Sequence, residues 1–321
     1  RRDYMDFPSL GRTNLLYDKI VPLPVKGLSL EGSIFETIAK KDYLQYAPYH
    51  TFSYVVKFLR EAALDPQVKA IKITIYRLAQ ISHVASSLIN AAKNGKKVMV
   101  SMEIQARFDE EANIAYAEQM QREGVQLIFG VQGLKVHSKM CIIEREEDKK
   151  IKRYGFISTG NFNESTAKIY TDYTLFTANQ RILKDVNKVF NFFEVNYKIY
   201  RFKHIITSPH YTKNKFFNLI DREINNVKEG KPGCNNNNPL VYISSADFMT
   251  RNIENRVEVS CPIYDKDIKE ELIDTFHICW NDNVKARILN KAQNNTYKRN
   301  DKPQYRSQFE AYNYLKNKLD A

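Results

Sequence analysis

The opening thirty residues show no periodicity. Pro and Gly interrupt every apolar run, which predicts a lead-in with little regular structure. From residue 50 apolar positions recur at three and four, predicting a helix over 50–64. Ile71, Ile73 and Ile75 then alternate with polar neighbours, the period of a strand over 68–76. The two periods go on exchanging. A helix over 82–94 has Gly95 placed to end it, and a β-rich run covers 96–104. A helix over 109–123 has acids in its first turn and stops at Gly124; a short strand covers 125–129. Strands over 136–144 and 154–159 are joined by a polar turn at 146–152. A strand over 170–177 and a helix over 180–197, with Val189, Phe190 and Phe193 on one face, close this series. A shorter series follows: a helix over 211–228, strands over 240–244 and 256–262, a helix over 267–280 and a tyrosine-rich helix over 304–319. Alternation of this kind predicts an α/β fold with mixed sheets flanked by helices.

The two series share a phrase. Phe156-Ile157-Ser158-Thr159-Gly160-Asn161-Phe162 matches Tyr242-Ile243-Ser244-Ser245-Ala246-Asp247-Phe248 in kind: an apolar strand end, two hydroxyls, a small residue, Asn or Asp, and Phe. A further strand follows each, which points to duplication.

Composition narrows the partners. With 321 residues the chain is long enough for about two domains. Apolar residues make up 43% and mean hydropathy is -0.50, an ordinary globular balance without a transmembrane-length apolar run. Lys and Arg exceed Asp and Glu by 12, with pI ≈ 9.3. That excess suits an anionic partner: nucleic acid, a membrane surface or phosphate-rich molecules. The first residues have neither an initiator Met nor a signal-peptide core, so the chain reads as a piece of a longer protein. Cys141, Cys234, Cys261 and Cys279 have no CxxC spacing; buried thiols in a reducing compartment are expected, and zinc is not.

The candidate chemistry sits at strand ends. His137 and Lys139 are two apart on a β-pattern, which directs both to one face. A neutral imidazole is a nucleophile, and an ammonium beside it steadies a phosphoryl oxygen. Ser158-Thr159-Gly160-Asn161 ends the neighbouring strand with hydroxyls, an amide and a Gly backbone. Arg77 ends the strand over 68–76 and Arg107 follows the one over 96–104, where ligands of α/β sheets bind. Each offers a permanently charged planar fork for phosphate oxygens. Asp109, Glu110 and Glu111 read as helix-start acids, and the histidines at 50, 83, 204 and 277 as structural or surface residues. The basic stretch from Lys285 to Arg306, interleaved with Tyr297 and Tyr305, reads first as a solvated face, with a polyanion-binding surface as the alternative. There is no GxxxxGK[ST] loop.

His137-x-Lys139 followed by Gly160-Asn161 resembles the half-site of the phospholipase D superfamily. In more detail, Ile73-Thr74-Ile75-Tyr76-Arg77, Gln105-Ala106-Arg107-Phe108-Asp109-Glu110-Glu111-Ala112-Asn113, Ser158-Thr159-Gly160-Asn161-Phe162-Asn163-Glu164 and Tyr170-Thr171-Asp172-Tyr173 resemble the bacterial polyphosphate kinases that work through a phosphohistidine. The resemblance implies two phospholipase-D-like α/β domains, 25–204 and 205–321, after the tail of a head domain at 1–24. It implies reversible transfer of the terminal phosphate of ATP to inorganic polyphosphate. His137 falls at the phosphorylated position, with Lys139 and Asn161 as catalytic companions and Thr159 beside the substrate. Arg77 and Arg107 fall at positions linked to phosphate and Mg²⁺, and Tyr170 at a nucleotide-contacting tyrosine. The expected partners are ATP or ADP and polyphosphate, with Mg²⁺ as cofactor and no nucleic acid. A cytoplasmic homo-oligomer with peripheral membrane association is implied as well.

Two departures stand out. The phospholipase D pattern has Asp five positions after its Lys, where this chain has Glu144, which counts against a phosphodiesterase or nuclease. The internal echo also asks for a second histidine near position 223, and 221–226 has none. The stretch 230–240, with four consecutive Asn, reads as a junction from which part of the family pattern is missing, near 233–239. That absence keeps a non-catalytic polyanion-binding reading open.

Overall fold

The computed structural model describes residues 8, 10–17, 19–103 and 110–320, without the side chains of 110–112. Its elements run α1 (Ile34–Ile38), β1 (Tyr43–Ala47), α2 (Ser53–Leu64), β2 (Val68–Ile75), α3 (His83–Lys93), β3 (Lys97–Met102), α4 (Glu110–Arg122), β4 (Gln126–Phe129), β5 (Lys135–Val136), β6 (Lys139–Glu147), β7 (Lys150–Ser158), β8 (Asp172–Thr177) and α5 (Gln180–Glu194). They continue with β9 (Ile206–Thr207), α6 (Thr212–Lys228), α7 (Gly233–Asn237), β10 (Tyr242–Ser244), α8 (Thr250–Glu254), β11 (Arg256–Val257), β12 (Val259–Pro262), α9 (Lys266–Asn281) and α10 (Ser307–Asp320).

A seven-stranded sheet in the order β1-β8-β7-β6-β2-β3-β4 forms the larger half. It is mixed: β2, β3 and β4 run parallel, and the rest pair antiparallel. Period two decides which side each residue serves. Ile71, Ile73 and Ile75 join α1 to α4 in one apolar core, while Met140, Ile142 and Ile157 face α5 in a second. That second core also takes in Ile243, Val259 and Cys261 of the smaller sheet, β10-β12-β9, so the two halves share apolar packing. Transfer of side chains such as these from water is the main stabilising contribution, about 1.5–3 kcal/mol for each fully buried one.

The expected mixed α/β fold is met, with local differences. The hairpin closes more tightly than the polar stretch suggested: β6 and β7 run on to a two-residue turn at Asp148 and Lys149, both at positive φ. The run over 256–262 is two strands, broken at Glu258. Cys234 and Cys279 are exposed, not buried; Cys279 lies on the solvent side of α9 beside exposed Phe276 and Trp280. The Asn run forms α7, a single turn in which Cys234 to Asn237 all have left-handed φ. No helix among the described residues is long and apolar enough to cross a membrane.

Candidate active site

His137 does not lie on one continuous strand with Lys139, as the two-residue spacing suggested. The chain leaves β5 at Val136 and enters β6 only at Lys139. Over that gap it pairs with the other half of the molecule: β5 runs parallel to β11, and the N–H groups of His137 and Ser138 both donate to the Val257 carbonyl, at 3.0 and 2.9 Å. Thr74, from the β2 end, completes the ladder where strand pairing lapses. Its hydroxyl donates to Ser138 O at 2.8 Å and accepts from Met140 N–H at 3.0 Å. The histidine is therefore held at a point where one strand changes partners.

Its ring is held from the smaller half. Nδ1 of His137 lies 2.9 Å from Oε1 and 3.0 Å from Oε2 of Glu258, the residue at the break between β11 and β12. Glu258 is 1% exposed. It also accepts from the Ser245 hydroxyl at 2.5 Å and from Asn252 Nδ2 at 2.7 Å, so its charge is fully solvated by donors. A carboxylate at Nδ1 fixes the tautomer that carries its proton there and leaves the Nε2 lone pair free. Burial lowers the His137 pKa, partly opposed by the Glu258 bond, while Lys139 and Arg256 lower it further. The balance favours the neutral ring.

Lys139 is 3% exposed, and its ammonium donates to the His137 carbonyl. Burial brings its pKa down to about 7, against the pull of Glu258, Asp172 and Asp247. Tyr76 is the hub of this cluster. Its ring meets the His137 ring edge-on at 5.4 Å and carries Lys139, Lys135 and the Arg77 guanidinium at 5.5, 5.2 and 5.7 Å from its centre. Asn113, fully buried, braces that loop: Nδ2 donates to the carbonyls of Tyr76 and Glu103, and Oδ1 accepts from Leu78 N–H, each at 3.1 Å. Tyr76, Asn113 and Asn252 stand in the sequence only as parts of motifs, and Glu258 stands in none of them.

Other expected residues fall as follows. Thr159 donates to Asp172 Oδ1 at 2.7 Å, and a Cβ at Gly160 would collide with that same carboxylate, which explains the glycine. Asn161 is half-buried, and its Oδ1 is enclosed without a hydrogen-bond partner among the described residues. Tyr170 is 62% exposed, and no contact joins it to the His137 cluster among the described residues. Arg107 lies outside the described residues. Glu144 pairs with Arg153 at 2.7 Å, a structural role. Glu164 caps α3 by accepting from His83 N–H at 2.7 Å. Among the other histidines, His50 is buried, with its pKa pushed down to about 4 by burial and Lys318. His204 meets the Tyr264 hydroxyl, and His210 packs on Phe192.

The two halves repeat this arrangement. Ser158 pairs with Thr174 and Ser244 with Ser260, so Asp172 and Glu258 occupy equivalent places two residues earlier on the partner strand. Thr159 binds Asp172 as Ser245 binds Glu258. Gly160 N–H meets Ser158 Oγ as Ala246 N–H meets Ser244 Oγ.

Family models agree with this geometry. "Polyphosphate kinase C-terminal domain 1" matches residues 33–199, and "Polyphosphate kinase C-terminal domain 2" matches 234–308. The chain belongs to the polyphosphate kinase family. The family member from Vibrio parahaemolyticus is 39% identical over 386 residues, covering 98% of this chain and 55% of its own length. The Escherichia coli K12 enzyme is 36% identical over 388 residues, covering 98% and 56%. The crystal structure of the polyphosphate kinase from Porphyromonas gingivalis superposes with a TM-score of 0.90 at 33% identity, over 99% of this chain and 59% of that one. The chain thus spans somewhat over half the length of these relatives. The Vibrio match runs over 386 positions against 321 residues here, so at least 65 of that relative's positions have no counterpart in this chain.

Proposed function

We propose that this chain carries the phosphoryl-transfer centre of a polyphosphate kinase, with His137 as the covalent carrier between ATP and inorganic polyphosphate. The observation behind this reading is the buried Glu258 carboxylate on Nδ1 of a neutral His137, which leaves Nε2 as the nucleophile. The Nε2 lone pair attacks the γ-phosphorus, an N–P bond forms, and the P–O bond to the β-phosphate breaks, with its electron pair leaving on ADP. A terminal oxygen of the polymer then attacks the same phosphorus, and the N–P bond breaks toward His137. Reversal of these steps makes ATP from polymer. Such transfers depend on positioning and neutralisation of charge. Lys139 and Arg77, gathered on Tyr76, and Arg256 near His137 provide that charge; Arg107 and Tyr170 enter through the family resemblance.

Among the described residues no group of three His, Cys, Asp or Glu side chains is placed to hold a metal. A Mg²⁺ would therefore ride on the substrate phosphates, where it would supply charge neutralisation.

The test is incubation with γ-labelled ATP. Acid-labile, alkali-stable label on the chain, lost in His137→Ala, is the expected result. A folded chain that binds polyphosphate yet takes no label would replace this reading with a non-catalytic polyanion-binding one, which the missing second histidine favours.

A further inference from the structure

Between α9 and α10 lies a segment of more than twenty residues with almost no apolar burial, yet with a defined shape. Two buried side chains anchor its ends. Asp282 Oδ1 accepts from the N–H groups of Val284, Lys285 and Ala286 at 2.8, 2.6 and 3.1 Å, and its Oδ2 accepts from Ser307 N–H at 2.9 Å. Asn283 Oδ1 accepts from Tyr305 N–H at 2.7 Å. Within the segment Ile288 N–H donates to Thr296 O and Lys298 N–H to Ala286 O, both at 2.9 Å, so it folds back as a narrow ribbon.

What the ribbon carries is charge of one sign. Lys285, Arg287, Lys291, Lys298, Arg299, Lys302 and Arg306 stand against two acids, the anchoring Asp282 and Asp301. Among the described residues none of these seven forms an ion pair with a carboxylate. Like charges repel one another over about a Debye length, about 8 Å at physiological salt, so gathering seven cations in one short segment is unfavourable without a counter-charge. Holding them in a fixed ribbon is worthwhile where a polyanion neutralises them.

We infer that this ribbon is a docking surface for the polyphosphate chain outside the reacting centre; the inference rests on the polyphosphate kinase reading above. Nucleic acid is the competing polyanion, and the ribbon's own aromatic residue argues against it. A single-strand binder presents open rings for base stacking. Here Tyr297, the aromatic residue inside the folded-back ribbon, has the guanidiniums of Arg287 and Arg299 over its ring, at 2.9 and 4.6 Å. That ring fixes cations in place, which suits a ligand made only of phosphate.

The experiment replaces Lys285, Lys291 and Lys302 together by Gln; all three are exposed, so the fold is not at risk. Binding of long-chain polyphosphate is measured by fluorescence anisotropy against salt concentration, beside tripolyphosphate and poly(U) of matched charge. Three lost phosphate contacts, each worth a slope of about 0.7 in log affinity against log salt, predict about 50-fold weaker long-chain binding near 0.15 M salt. Tripolyphosphate binding should stay within about twofold, since it engages few contacts. Unchanged long-chain binding overturns the inference. So does tighter binding of poly(U) than of polyphosphate to the native chain with a larger loss in the variant, which would make the surface a nucleic-acid site. His137 labelling from ATP, read in the same variant, separates the two proposals: label with unaltered polymer binding rejects the ribbon alone, and weakened binding without label rejects the transfer reading alone.

Discussion

Replacing Glu258 by Gln tests how His137 is activated. The substitution keeps the volume of a side chain that is 1% exposed and changes one oxygen into NH₂. Asn252 Nδ2 can only donate at its 2.7 Å contact with Oε1, so the surviving carbonyl must stay on that side. The new amide nitrogen takes the place of Oε2, beside the Ser245 hydroxyl, which can turn to accept, and 3.0 Å from His137 Nδ1. Nδ1 then loses its charge-assisted bond and lies between the surviving carbonyl, at 2.9 Å, and the new donor, at 3.0 Å, so its proton is no longer held there and the tautomer with the proton on Nε2 gains population. That tautomer has no lone pair for the phosphorus. By analogy with the amide substitution of a triad aspartate, the rate of phosphohistidine formation should fall by about 10³–10⁴-fold, or about 4–5.5 kcal/mol of barrier. Single-turnover labelling with γ-labelled ATP measures it. The pH dependence separates tautomer from charge. Glu258 raises the His137 pKa, so its loss lowers that pKa further and the balance still favours the neutral ring. Raising the pH should therefore restore nothing. A variant that keeps its melting temperature and labels within about threefold of the native chain would refute the reasoning, because a mere spectator carboxylate tolerates its isosteric amide.

Other expectations follow from the same geometry. Lys139, with a pKa brought down to about 7 by burial, is mostly uncharged near pH 8 in the free protein, and a bound polyanion favours its charged form. Binding of tripolyphosphate at that pH should take up close to one proton, fading as pH falls below 7. Calorimetry in two buffers of different ionisation enthalpy reads the uptake, and an undiminished value in Lys139→Met would assign it elsewhere. Gly160→Ala drives a methyl into the Asp172 carboxylate and should cost about 1–3 kcal/mol of stability. Asp172→Ala in the same chain should recover most of that loss, and a simple sum of the two penalties would show that the sites do not touch.

Much of the fold was legible because the period of the apolar residues is a direct image of what each element buries. The helix His83–Lys93 begins one residue after Ser82, whose Oγ accepts from Ala85 N–H, and ends before Gly95 at φ +76, as local chemistry dictates. What periodicity cannot show is a change of partner. His137 and Glu258 both lie where a β-pattern runs on while the ladder is handed to another strand, and the pattern is blind to which strand answers. Asn113 enters the sequence reading only as the last residue of a family motif; its work is to clasp two loop carbonyls, a role set by tertiary approach alone.

Glu258 was nonetheless within reach of the sequence. The internal echo aligns Thr159 with Ser245, and an acid follows each by the same interval: Asp172 and Glu258 are both 13 residues on. Taking that spacing seriously turns a likeness of short phrases into a likeness of parts, in which each half contributes a strand-end hydroxyl and a buried acid bound to it. One of these acids holds the histidine of the opposite half. The other, Asp172, has its pKa raised by burial, faces Lys139 and, among the described residues, carries only the Thr159 hydroxyl as a hydrogen-bond donor to its side chain. A duplicated site built on this rule calls for an imidazole from the smaller half at Asp172, and the six histidines of this chain supply none. The asymmetry bears on the chemistry. With one histidine held and its counterpart absent, the two steps of the proposed transfer, labelling from ATP and elongation of polyphosphate, are to be measured apart.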